Sequence, residues 1–139
     1  MKFVSIAEIE YLVFRLAKET MDFIEPIPAF SKRFPDILES CLASPLQGFA
    51  RKTLYSGLIS KAAILFYLLI KNHPFQNGNK RIAMTTLFVL LYKNKKWLRV
   101  DNQELYNFAR WVAESNSKLN DDTVGAIETF LSSYMTDLK

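Results

Sequence analysis

The sequence predicts an all-α fold, and three observations carry that prediction. Two capping-box patterns, Ser5-Ile6-Ala7-Glu8 and Asp101-Asn102-Gln103-Glu104, each open a helix. Two further stretches, Ser56 to Lys71 and Asn79 to Lys93, are apolar almost all round, which places two helices at the centre of a core. A single stretch, Ser44 to Tyr55, lacks helical period, leaving room for at most one small hairpin.

Taken in order, Ile6, Ile9, Leu12, Val13 and Leu16 recur at helical spacing and predict a first amphipathic helix ending near Glu19. Prolines between Ile24 and Phe34 mark an irregular loop. Pro35 suits the first turn of a short second helix that runs to about Ala43. The stretch from Ser44 carries Pro45 and Gly48 and reads as an extended flap. Ser56 is placed to cap the first central helix, and the second begins at Asn79. Leu98-Arg99-Val100 reads as a short extended piece. The helix opened at Asp101 runs to about Ser115, and Asn120-Asp121-Asp122 opens a last helix to about Leu138. Trp97 and Trp111 read as core or groove-lining residues.

At 139 residues and 16.1 kDa, half of them apolar, the chain has material for one domain spanning residues 1–139. Eighteen basic residues against fourteen acidic ones give a net charge of +4. That excess is compatible with phosphate, nucleotide or nucleic acid and selects none of them. No helix carries basic residues along one face, so direct nucleic-acid binding is not expected. Lys93-Asn94-Lys95-Lys96 reads as a solvated basic turn at a helix C-terminus, where cations are favoured. Cys41 is the one cysteine, which excludes an internal disulfide, and its apolar helical setting reads as core. The start Met1-Lys2-Phe3 turns amphipathic at once, and the longest apolar run, Ala62 to Ile70, falls short of the ~20 residues of a membrane span. A soluble, cytoplasmic protein without a membrane partner is the expectation.

The chemistry is concentrated between the two central helices, in His73-Pro74-Phe75-Gln76-Asn77-Gly78-Asn79-Lys80-Arg81. His73 is the one histidine of the chain. The first N–H groups of a helix lack internal partners and sit at the positive end of its dipole. Gly78 lets a ligand approach that backbone closely. Lys80 and Arg81 add two cations in a first turn, where positive charge is normally unfavourable; an anion bound there supplies the reason. Phe75, between polar neighbours, reads as an anchor packing into the core, and Gln76 as exposed.

This string resembles the signature of the Fic/Doc family, His-x-Phe-x-Asp/Glu-Gly/Ala-Asn-Gly/Lys-Arg, and every fixed position but one matches. The likeness extends loosely over residues 3–135 and strongly over 56–92. It implies a Fic/Doc-like bundle of about six helices, with a short flap ahead of the central helix. By resemblance His73 is the general base that deprotonates a target hydroxyl, while Gly78, Asn79, Lys80 and Arg81 hold nucleotide phosphates. Flap residues Leu46, Gln47, Gly48 and Phe49 would hold the target segment by strand-like pairing.

Two departures refine what the resemblance implies. Lys80 stands where AMP-transferring Fic enzymes have glycine; lysine there is characteristic of the death-on-curing (Doc) branch. That branch transfers the terminal phosphate of ATP to a Ser or Thr hydroxyl, and its implied target lies in the translation machinery. AMP transfer is the alternative. Asn77 replaces the acid that helps hold Mg²⁺, which opens a third reading: a nucleotide-binding protein with an impaired site. The inhibitory Ser/Thr-x-x-x-Glu-Gly/Asn string of some Fic proteins does not occur. Restraint of a toxin of this type is therefore expected from a separate antitoxin protein.

Overall fold

The computed structural model describes residues 1–20, 27–49, 52–53 and 57–138. Helix α1 (Ile6–Glu8) passes through a π-helical stretch (Ile9–Val13) into α2 (Phe14–Thr20). The capping box forms as expected: Ser5 Oγ accepts from the Glu8 N–H at 3.2 Å, and the Glu8 carboxylate accepts from the Ser5 N–H at 2.9 Å. The wider π turn shifts the helical register. Ile9 and Val13 are buried, Phe14 and Ala17 then take up the buried face, and Leu12 is left 40% exposed.

Helix α3 (Pro35–Ala43) buries Leu38, Cys41 and Leu42. Burial raises the Cys41 thiol from its ordinary value to about 11, so it stays protonated and unreactive at neutral pH, as a core residue should. A 3₁₀ turn (Ser44–Leu46) leads to strands β1 (Gly48–Phe49) and β2 (Lys52–Thr53). These pair antiparallel with Gly48 opposite Thr53 and Phe49 opposite Lys52, giving the expected hairpin. Leu46, expected within the flap, belongs to the turn before it, where Pro45 favours turn geometry. The expected cap Ser56 lies outside the described residues.

Helices α4 (Gly57–Lys71) and α5 (Asn79–Lys93) pack along each other and are buried over most of their length. Helices α6 (Asn102–Glu114) and α7 (Asn120–Tyr134) close the bundle, α7 against α4 and α6 against both central helices. Side chains from α2 through α7 contribute to a hydrophobic core that contains Phe66, Leu69, Ile82, Leu90, Leu105 and Ile127. The fold is all-α, as the sequence predicts.

Four local expectations are corrected. The last helix stops at Tyr134, because Met135–Asp137 forms strand β4 against β3 (Lys96–Leu98), with Trp97 opposite Thr136. The extended piece therefore starts at Lys96 rather than Leu98. Asp101 is the N-cap of α6 but its side chain makes no cap bond; Glu104, its expected partner, instead accepts from Tyr134 Oη at 2.6 Å. Lys93 is not solvated: its Nζ donates to the Phe3 carbonyl at 2.7 Å and to both Glu8 oxygens at 2.6 and 2.7 Å. Burial pushes the Glu8 carboxyl up, but the bonds from Lys93 and Ser5 outweigh it and hold the group below its ordinary value.

Candidate functional site

Residues 72–78 join the C-terminus of α4 to the N-terminus of α5, and both ends of the loop are fastened. Lys71 Nζ donates to the carbonyls of Ala113 at 3.2 Å and Ser115 at 2.6 Å, tying the end of α4 to the end of α6. The Phe34 N–H donates to the Pro74 carbonyl at 2.8 Å, tying the loop to the start of α3. Phe75 is 1% exposed and meets Phe14 of α2 edge-on at 5.0 Å, the anchor its place in the sequence suggests.

His73 follows two residues after α4, with its side chain exposed and its backbone left-handed at φ 50°. A non-glycine residue there is strained by about 1–3 kcal/mol and persists because its surroundings fix it. Asn79 is one such surrounding. It is buried; its Oδ1 accepts from the Phe75 N–H at 3.1 Å, and its Nδ2 donates to the Phe75 carbonyl at 3.0 Å. The same Nδ2 lies 3.4 Å from His73 Nδ1.

Gly78 caps α5 with φ 74°, a left-handed conformation that favours glycine, and its carbonyl accepts from the Ile82 N–H at 2.9 Å. Lys80 is half-buried in the first turn. Arg81, expected at a phosphate, is 7% exposed, and its Nη2 donates to the Ala17 carbonyl of α2 at 2.8 Å. Gln76 and Asn77 are exposed on the loop. Of the expected flap residues, Leu46 and Gln47 are exposed, and the turn carrying Leu46 packs against α4.

The loop therefore brings His73, Phe75 and Asn79 into one bonded unit at the N-terminus of a central helix, with Lys80 in its first turn. Sequence reasoning missed the contribution of Phe34 and the loop-holding bonds of Asn79. Neither leaves a local signal, since each depends on where the chain turns back on itself.

Helix N-termini of this kind suit a nucleotide's phosphates. The donors suit a magnesium ion less well. Among the described residues no group of three or more His, Cys, Asp or Glu side chains is placed to hold a metal. Asn77 offers a neutral amide oxygen in place of a carboxylate. Mg²⁺ is ordinarily held by one or two carboxylates and substrate phosphates, so this loop fits only an ion held chiefly by the phosphates.

A shallow cavity of about 340 Å³ lies beside the loop, lined by Asp36, Ile37, Ser40 and Asn72. A larger apolar hollow of about 510 Å³ lies elsewhere along α5, between Leu12, Leu16, Phe88, Val89, Tyr92 and Trp97. Among the described residues no helix is long and apolar enough to cross a membrane.

No curated protein and no solved structure is significantly similar to the chain. The model of the Fic/DOC family, however, matches residues 5–91. That span runs from the first capping box through the hairpin and both central helices, with the His73 loop inside it. A match over more than half of the sequence, with the loop that the fold fastens from three sides inside it, shows that the chain belongs to the Fic/Doc family.

Proposed function

We propose that this protein is a Doc-like toxin that transfers the terminal phosphate of ATP to a Ser or Thr hydroxyl of a protein target in the translation machinery. Fic/Doc proteins are typically transferases, and the family generally uses ATP and a divalent metal. The observation that carries the phosphoryl-transfer reading is Lys80, in the first turn of α5, with the exposed His73 on the loop just ahead of it.

When bound, ATP supplies the phosphoryl group, and Mg²⁺ offsets charge on its phosphates. The chain's own residues do the rest. The start of α5, with Gly78 and Lys80, holds phosphate negative charge against the positive end of the helix dipole. The β1–β2 hairpin presents an extended edge to the target segment. His73 takes the proton of the target hydroxyl as its oxygen bonds to phosphorus, and the bond to the leaving ADP breaks. A separate antitoxin chain restrains the activity.

Asn77 favours a second reading, in which the site binds nucleotide but turns over poorly. Label transfer from ATP separates these readings. Purified protein, Mg²⁺ and a bacterial lysate are incubated with ATP labelled at its α- or its γ-phosphate, using both the natural protein and Asn77→Asp. Label from the γ-position alone supports phosphoryl transfer, and label from the α-position overturns it in favour of AMP transfer. A large gain in Asn77→Asp marks the natural site as impaired. Silence from both proteins leaves binding alone.

A further inference from the structure

We propose that Asn79 is a positioning residue: it fixes neutral His73 as the Nε2–H tautomer, so that Nδ1 is the basic nitrogen of the ring. An amide's orientation is usually ambiguous, because its oxygen and nitrogen look alike. Here two backbone groups settle it. The oxygen can only accept, and it faces the Phe75 N–H at 3.1 Å; the nitrogen can only donate, and it faces the Phe75 carbonyl at 3.0 Å.

That nitrogen carries a second hydrogen, and His73 Nδ1 lies 3.4 Å away. Asn79 is 4% exposed, so little water competes for this hydrogen. A donor facing Nδ1 requires Nδ1 to be unprotonated, which puts the proton of the neutral ring on Nε2. The contact is long, but both partners are held. Asn79 sits in the first turn of α5, and His73 sits between α4 and the fastened Pro74.

For the reaction proposed above, on which this consequence rests, the target hydroxyl must approach the Nδ1 edge of the ring. Its proton moves to Nδ1 and the ring becomes doubly protonated. Nδ1 has one lone pair, so the Asn79 contact opens before the hydroxyl bonds there, and once the ring is doubly protonated Asn79 Nδ2 faces another donor. A bond from Asn79 to a phosphate would likewise break one of these three contacts.

The test needs no activity. His73 is the one histidine, so two-bond proton–nitrogen correlation spectra of the ¹⁵N-labelled full chain report on it without assignment. Spectra are taken well above the ring's titration midpoint, for the folded protein and for the same protein in urea. The folded chain is expected to show the Nε2–H tautomer alone, and the unfolded chain a mixture. In Asn79→Asp, which keeps the acceptor for the Phe75 N–H and turns the donor into a second acceptor, the folded ring is expected to become mainly Nδ1–H. A folded wild-type ring with the unfolded mixture, or with Nδ1–H, overturns the proposal. So does a folded Asn79→Asp protein that keeps the wild-type pattern. The wild-type comparison decides even if the variant does not fold, and it stands whether or not label transfer is found.

Discussion

At Phe75 a single ring couples the loop to the core. Residues on either side of it form the candidate site, yet the ring is 1% exposed and packs edge-on against Phe14. Truncation to Ala leaves a cavity and removes the aromatic contact, so Phe75→Ala is expected to cost about 3–5 kcal/mol in urea-unfolding experiments. Phe75→Leu, which refills most of the space, is expected to cost markedly less. A loss under ~1 kcal/mol for the Ala variant would contradict the anchoring role. The burial of Phe75 was legible in the sequence, because an aromatic residue among polar loop residues needs a place to go. The left-handed backbone of His73 and the three contacts of Asn79 were not. They follow from the path of the loop, which residue types alone do not specify.

Among the elements, two helices begin with the same sequence pattern and end up capped differently. At Ser5 both arms of the box form, whereas at Asp101 Glu104 turns away to Tyr134. Ser5→Ala is therefore expected to lower stability by about 1 kcal/mol. Asp101→Ala, which removes no cap bond, should stay within about 0.5 kcal/mol of wild type. Denaturant melts of the two variants check this, and equal losses would show that the Asp101 cap forms in solution. The pattern is necessary for a box but blind to a competing partner thirty residues away. The same blindness explains the overlong last helix. Residues 135–137 continue a helical sequence well enough, and only their ladder with residues 96–98 makes them a strand. The central helices were readable because they are apolar on every side, and no competing partner changes that.

Over the whole molecule, the core is assembled around α4 and α5, and the peripheral elements hold the loop between them. Lys71 reaches α6, Phe34 brings in α3, and Phe75 and Arg81 bring in α2. Three peripheral helices thus converge on one short segment, which is how a strained His73 is kept in place. The fold class and the candidate loop's place in it follow from composition and spacing: two all-round apolar helices, a histidine and a glycine between them, and two cations in the first turn of the second. The ties do not, since each joins residues far apart in sequence. Lys93 illustrates this, read as a solvated cation yet held by Glu8 and Phe3 near the start of the chain.

In the proposed transfer His73 acts on the target hydroxyl and contributes little to folding. Its side chain is exposed, so His73→Ala should melt close to wild type. The most direct measurement is γ-phosphate label transfer from ATP into lysate protein by wild type and His73→Ala at equal concentration, alongside their melting curves. Transfer by wild type, a loss of at least about 100-fold in the variant, and nearly superimposable melts are expected. Equal transfer by the two proteins would rule out His73 as the general base.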